Sequence, residues 1–315
     1  MYRKFNVLPA IAAALLLAAC SDSNPALVED GPEPAQPSFA TAPVGARWSL
    51  YTSQTPTETL DATPGWEVST RFTSSKKGKV IGFRFYRASG ETGTNTARLW
   101  TDNGQQLASA SFPSGGSGWQ AVYLSASAAA SIAANTNYRV SVNTNTAQVK
   151  TSGGYAYNGA LSNGTLYSNG SHYGQPTGSM PTSSSASYFF VDVIFEEYVP
   201  LPNLYIQQVV ANGGTNYYNQ EIISIAVCND GDGNAAASTT RLRYAWAPPS
   251  GGAWQYAPNA DYYTQPIAAG TCVWLQPTRS SSIGFNLYEV WADVHDVLYE
   301  SNENNYFYTI WNRQW

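Results

Sequence analysis

KVIGFRFYR, residues 79–87, sets Ile81, Phe83 and Phe85 against Gly82, Arg84 and Tyr86. Successive side chains of a strand point to opposite sides of a sheet, so this period of two predicts a strand with one face on a core. Downstream, ARLWTDNGQQLASASF (97–112) places Asn103-Gly104 between two such runs, the pair preferred in a type I′ hairpin turn. WQAVYL (119–124), NYRVSVN (137–143) and SYFFVDVIF (187–195) continue the series. SASAAASIAA (125–134) is the one helix-compatible stretch, yet it lies among strands and has no wide apolar stripe. The expected fold class is all-β, built as two β-sandwich domains.

Composition narrows the function. The chain has 315 residues, of which 12% are charged, about half the usual share of roughly 25%. Its formal net charge is −5, and its one basic run is Lys76, Lys77 and Lys79. Binding to nucleic acid needs a concentrated positive face to neutralise phosphates, so no nucleic-acid partner is expected.

Arg3 and Lys4 precede VLPAIAAALLLAA (7–19), an apolar run too short to span a bilayer. LAAC (17–20) then resembles the lipobox of bacterial lipoproteins. That resemblance implies a signal peptide over 1–19, lipidation of Cys20 and a membrane partner reached through the acyl chains. Ser21 stands where an aspartate would signal inner-membrane retention, so the implied location is the bacterial envelope, as an outer-membrane lipoprotein facing the periplasm or exposed at the surface. Residues 20–44 carry five prolines and no periodic apolar pattern, and read as a disordered tether.

GFRFYR (82–87), GTNTARLWTDNGQQLASASF (93–112), SGWQAVYL (117–124), ANTNYRVSV and FFVDVIF are similar, in order, to the bacterial domain of unknown function 4082. The resemblance implies a jelly-roll-like sandwich over 45–197. Such modules accompany secreted and surface proteins, which implies glycan binding or adhesion without naming a residue. EEYVPLP (196–202) reads as a joint. Beyond it, EIISIAVCNDGDGNAAASTTRLRYAW (221–246) and AAGTCVWLQP (268–277) resemble the cell-adhesion-related domain found in bacteria, which implies an immunoglobulin-like sandwich over 198–315. Asp293, Glu300, Ser301, Asn302 and Glu303 fit that family's closing motif.

LYESNENNYF (298–307) concentrates oxygen ligands in a chain poor in charge. Glu300 and Glu303 lack any neighbour that would split their pKa values, and a turn is expected to give no shielded pocket, so no catalytic residue is expected here. Calcium is the cofactor whose ligand chemistry fits, in a structural role, with Asp230, Asp232, Glu300 and Glu303 as weak candidates. NDGDGN (229–234) opens like an EF-hand loop, but Arg241 stands where its twelfth position requires a glutamate. The favoured reading is a turn shaped by side-chain hydrogen bonds, with no metal. His172 and His295 are the sole histidines and fall in different domains, so no histidine-based triad or zinc site is expected, and His172 is assigned to a loop. Asp192 sits in a strand apolar on both faces and is expected to pair with Arg84 or Arg98.

Cys228 and Cys272 form an even pair once Cys20 is lipidated. Alternation puts both sulfurs on the face opposite Ile223, Ile225 and Val227, so the expected disulfide joins adjacent strands of one sheet. The remaining candidates are aromatics interleaved with amides, able to stack on sugar rings. They are Tyr155, Tyr157, Tyr167 and Tyr173, with His172, in the Gly, Ser and Asn-rich stretch 152–187, then Tyr217, Tyr218, Trp246, Trp254, Tyr256, Tyr262 and Tyr263. The function expected is a non-catalytic, lipid-anchored surface protein that binds polysaccharide or mediates adhesion. The alternative is a structural envelope or matrix protein whose sandwiches act as spacers or bind partner proteins.

Overall fold

The computed structural model describes residues 42–215, 220–280 and 282–313. Its contacts divide the chain into two compact units, Ala42–Pro200 and Leu201–Trp315. Both are antiparallel β-sandwiches. Cys20, with the leader and most of the tether expected around it, lies outside the described residues. Among those described, no helix is long and apolar enough to cross a membrane.

The first unit packs two main sheets. One runs Arg47–Trp48, Val191–Glu197, Gly78–Arg87, Gly118–Tyr123, with Ala130–Ile132 also on Gly78–Arg87. The other runs Ser162–Asn163, Leu166–Gly174, Trp66–Ser74, Tyr138–Thr144, Thr96–Thr101, Gln106–Ser111, with Ser183–Ser185 on Leu166–Gly174. Because the chain passes repeatedly from sheet to sheet, both inner faces fill one core, with Phe83, Val193 and Phe195 from the first sheet against Phe72, Leu99 and Val140 from the second. A separate ribbon pairs Glu58–Asp61 with Ala147–Lys150.

Local detail departs from the simple period. Opposite Ile194 and Phe195 the partners are Gly82 and Val80, so Ile81 is a bulge. Val80, not Ile81, therefore joins Phe83 and Phe85 in the core. At Asn103-Gly104 the hairpin forms, but only Gly104 takes a positive φ, 95°. Gly104 N–H donates to Thr101 O at 3.1 Å and Thr101 N–H to Gln105 O at 2.9 Å, the pattern of a type I turn closed by a left-handed glycine rather than type I′. Residues 125–134 form a turn and the strand Ala130–Ile132 instead of a helix; among the described residues the single helical turn is Gly154–Asn158. The stretch 152–187 is not an open loop either, because Leu166–Gly174 inserts beside Trp66–Ser74 with Leu166, Ser168 and Ser171 facing inward.

Asp192 is buried on the face of its strand opposite Val191 and Val193, beneath the segment at Leu50 and Tyr51, and does more than pair. Its Oδ1 accepts Leu50 N–H at 2.9 Å and Val193 N–H at 2.8 Å, and Oδ2 accepts Tyr51 N–H at 3.1 Å. Arg84 Nη2 stands 4.0 Å from Oδ2. Arg98 goes elsewhere, to the buried Glu67. Burial pushes the Asp192 carboxyl up to about 6, against the pull of those N–H groups and Arg84.

The second unit has the strand order of an immunoglobulin-like sandwich. Leu204–Thr215, Glu221–Asn229 and Thr271–Leu275 form one sheet, with Thr278–Arg279 extending it. Ser238–Ala247, Gly284–Trp291 and Tyr306–Arg313 form the other, edged by Gln255–Tyr256 and Ala260–Thr264. Ile223, Ile225 and Val227 face Leu242, Tyr288 and Val290 across the core. Cys228 lies opposite Cys272 in register, and the two are joined by a disulfide on the outer face.

Candidate functional site

Where the ribbon meets the end of the seven-stranded sheet, the first unit has a pocket of about 340 Å³. Trp66 opens its strand opposite Thr144, and Tyr173 pairs with Val68, so both rings fall on the pocket wall. Their centroids are 6.0 Å apart with planes inclined by 37°. Val68 and Phe189 supply the apolar floor, while Asp61, Gln148 and Lys150 come from the ribbon. Lys150 is steadied by Glu58, Nζ to Oε2 3.7 Å. The pocket thus joins a continuous aromatic wall to a carboxylate, an amide and an ammonium, within the size range of small-ligand sites, about 300–1,000 Å³.

The ribbon is held by Glu91. Its Oε1 accepts from Asn95 Nδ2 (2.6 Å) and Asn145 N–H (2.9 Å), and its Oε2 from Thr146 N–H (2.8 Å) and Ala147 N–H (2.7 Å). Burial raises the carboxyl, but the N–H groups of Ala147, Thr146 and Asn145 and the Asn95 amide outweigh it and hold the pKa below the ordinary glutamate range. Glu91→Ala is expected to cost about 3 kcal/mol in denaturant unfolding, because several inward-facing donors lose their acceptor together. A loss under about 1 kcal/mol would show that water replaces the carboxylate.

The sequence candidates scatter. Tyr173 reaches the pocket, whereas Tyr155 is half-buried edge-on against Tyr188, 4.7 Å between centroids. Tyr157 and Tyr167 stand exposed and apart from the pocket lining. His172 is a correction: it is buried in the strand Leu166–Gly174, not in a loop, and burial first, then Arg139 and Arg71, push its pKa down to about 4, leaving it neutral. Tyr217 and Tyr218 lie outside the described residues.

In the second unit the expected cluster does not assemble. Trp254 is buried over Ala245, Ala247 and Leu287, and Trp246 donates its indole N–H to Ile283 O at 2.6 Å. Tyr262 packs on the core, and Tyr263 projects alone into solvent. Tyr256 instead lies beside Arg243, which also covers Trp291. Trp291, Tyr306 and Tyr308 continue this row, with centroid steps of 5.1 and 6.0 Å. Sequence reading passed over these three because it sought aromatics in loops, and they stand on strands at period two.

The acidic candidates divide as well. Asp230 accepts from Asn203 Nδ2 at 2.5 Å and Asp232 from Leu201 N–H at 3.2 Å, so both fasten the start of the unit. Glu300 overturns the expectation that a turn offers no shielding: it is buried, with Oε2 on Leu204 N–H and Oε1 on Asn305 Nδ2. Burial, then the charges of Glu303 and Asp293, raise it to about 8 against the pull of Leu204 N–H. The side-chain hydrogen bonds expected to shape a turn are present, with Glu300 N–H on Glu303 Oε1 at 3.1 Å and Asn304 N–H on Asn302 Oδ1 at 3.3 Å.

Residues 53–191 match the family model described as domain of unknown function (DUF4082). The match falls within the first sandwich. No curated protein matches the chain. Solved structures that resemble it include a beta-glucuronidase of Bacteroides uniformis, at 13% identity and TM-score 0.22, covering 80% of this chain and 27% of that one. A Ruminococcus gnavus beta-glucuronidase aligns at 11% identity and TM-score 0.20, over 80% of this chain and 36% of that one. A Bacteroides fragilis putative beta-galactosidase aligns at 9% and 0.20, over 88% and 34%. The chain spans about a third of the length of these proteins, and superpositions this loose assign it none of their chemistry.

Proposed function

We propose that the chain is a non-catalytic saccharide-binding protein of the bacterial envelope, held to the membrane by lipid at Cys20 and recognising glycan in the pocket walled by Trp66 and Tyr173. The observation that carries this reading is the pairing of those rings with hydroxyl-binding groups at one concave site. A flat apolar ring covers the C–H face of a pyranose, while Asp61 and Gln148 accept from its hydroxyls and Gln148 and Lys150 donate to them. Glycoside hydrolysis usually needs two carboxyl groups flanking the scissile bond, and the pocket lining holds one, Asp61. That supports binding over turnover.

A glycan array with the purified chain tests it. Trp66→Ala and Tyr173→Ala are each expected to weaken binding at least about tenfold, the worth of one well-placed ring, while Trp254→Ala and Tyr157→Ala leave affinity unchanged. Silence across neutral and acidic polysaccharides, or binding indifferent to Trp66, sinks the proposal. The row of Tyr256, Trp291, Tyr306 and Tyr308 favours a second reading, an envelope protein that assembles with other chains, and self-association in the absence of any glycan binding is its signature.

A further inference from the structure

The turn between Gly284–Trp291 and Tyr306–Arg313 buries two carboxyl groups with no strong cation beside them. Asp293 and Glu300 are 1% and 4% exposed. Among the described residues neither forms a salt bridge with a lysine or arginine. His295, whose field reaches Asp293, sits 3.5 Å from Asp261 instead. Buried charges in proteins are paired, neutralised or bound to metal.

Two oxygens in this turn have no hydrogen-bond partner, Asp293 Oδ1 and Asn305 Oδ1. Asn305 is 8% exposed, and its Nδ2 donates to Glu300 Oε1 at 3.1 Å, so its side chain lies against that carboxylate while its own oxygen has no donor. Asp293 commits its other oxygen to Leu298 N–H at 2.9 Å. An acceptor sealed from water without a donor is costly, and here two acceptors bear that cost within one turn.

We infer that the turn 293–305 is a structural calcium site, with Asp293 Oδ1, Asn305 Oδ1 and the Glu300 carboxylate as its protein ligands. All three donors are oxygens, which suits a hard cation. No three His, Cys, Asp or Glu side chains converge on a metal position among the described residues. Backbone carbonyls and water therefore complete the roughly six to eight oxygens that calcium takes. Asp230 and Asp232, fastened to Asn203 and Leu201, stay outside the set. The bound ion would satisfy both orphaned oxygens and offset the mutual repulsion of Asp293, Glu300 and Glu303.

The test uses the purified full chain stripped with chelator, followed by thermal unfolding and by terbium luminescence sensitised through nearby tyrosines. Calcium chloride at a hundredfold excess over Kd is expected to raise the calcium-sensitive transition by roughly 10 °C. Asp293→Asn and Glu300→Gln each lower calcium affinity at least tenfold, while Asp230→Asn leaves it unchanged. Should Asp293→Asn fail to fold, Glu300→Gln carries the test, since glutamine keeps an acceptor for Leu204 N–H. No shift and no terbium binding up to about 10 mM, beyond the usual range of extracellular calcium modules, overturns the inference. An equal shift with magnesium, or full calcium affinity in Glu300→Gln, does the same.

Discussion

Asp192→Ala is expected to lower the stability of the first unit by about 4 kcal/mol in urea unfolding, the scale of breaking a buried charged network. The carboxylate gathers the N–H groups of Leu50, Tyr51 and Val193, so its removal orphans three inward-facing donors and releases the segment at Leu50 and Tyr51 from the sheet. Asp192→Asn keeps two lone pairs but turns an amide NH₂ toward one of those donors, and about half the loss is expected. pH provides a second readout. Burial raises the folded-state pKa to about 6, above the unfolded value, so between roughly pH 4 and 6 the folded state binds more protons than the unfolded chain. Stability therefore rises as pH falls from 7 to 4, by up to about 3 kcal/mol. Glu67, also raised by burial, acts in the same direction. Asp192→Asn should flatten most of that slope; an unchanged slope would show that Asp192 does not titrate in this window.

Cys228→Ala combined with Cys272→Ala is expected to remove about 4 kcal/mol from the second unit, the chain-entropy value for a bridge spanning 44 residues. The bridge ties the central strand Glu221–Asn229 to Thr271–Leu275, and the unfolded chain loses most from that closure. The same double change should leave the first unit's transition in place. A reductant that lowers both transitions equally would contradict the assignment.

The periodic parts of the fold were legible. Phe83 and Phe85, and again Ile223, Ile225 and Val227, face inward because alternation is a local property, and the Cys228 and Cys272 positions followed from the same parity. Ile81 was misread because a bulge shifts register without changing the alternating pattern of apolar residues. The strand Leu166–Gly174 was missed because serines, not aliphatics, fill its inward positions. Of the pocket, Tyr173 was found. Asp61, Trp66, Gln148 and Lys150 were not, since the ribbon pairs segments far apart in sequence and nothing local announces the pairing. Trp254 was chosen as a binding ring and proves buried, because a loop position says nothing of what the loop folds over.

Arg47–Trp48 pairs antiparallel with the last strand of the first unit, Arg47 beside Glu196 and Trp48 beside Phe195. The chain thus arrives and departs at one corner of the sandwich. Traction applied between those two points opens the pair one bond after another instead of sliding the strands along each other. Such traction would accordingly peel this edge first, while Gly78–Arg87 still pairs with both its other neighbours, Gly118–Tyr123 and Ala130–Ile132.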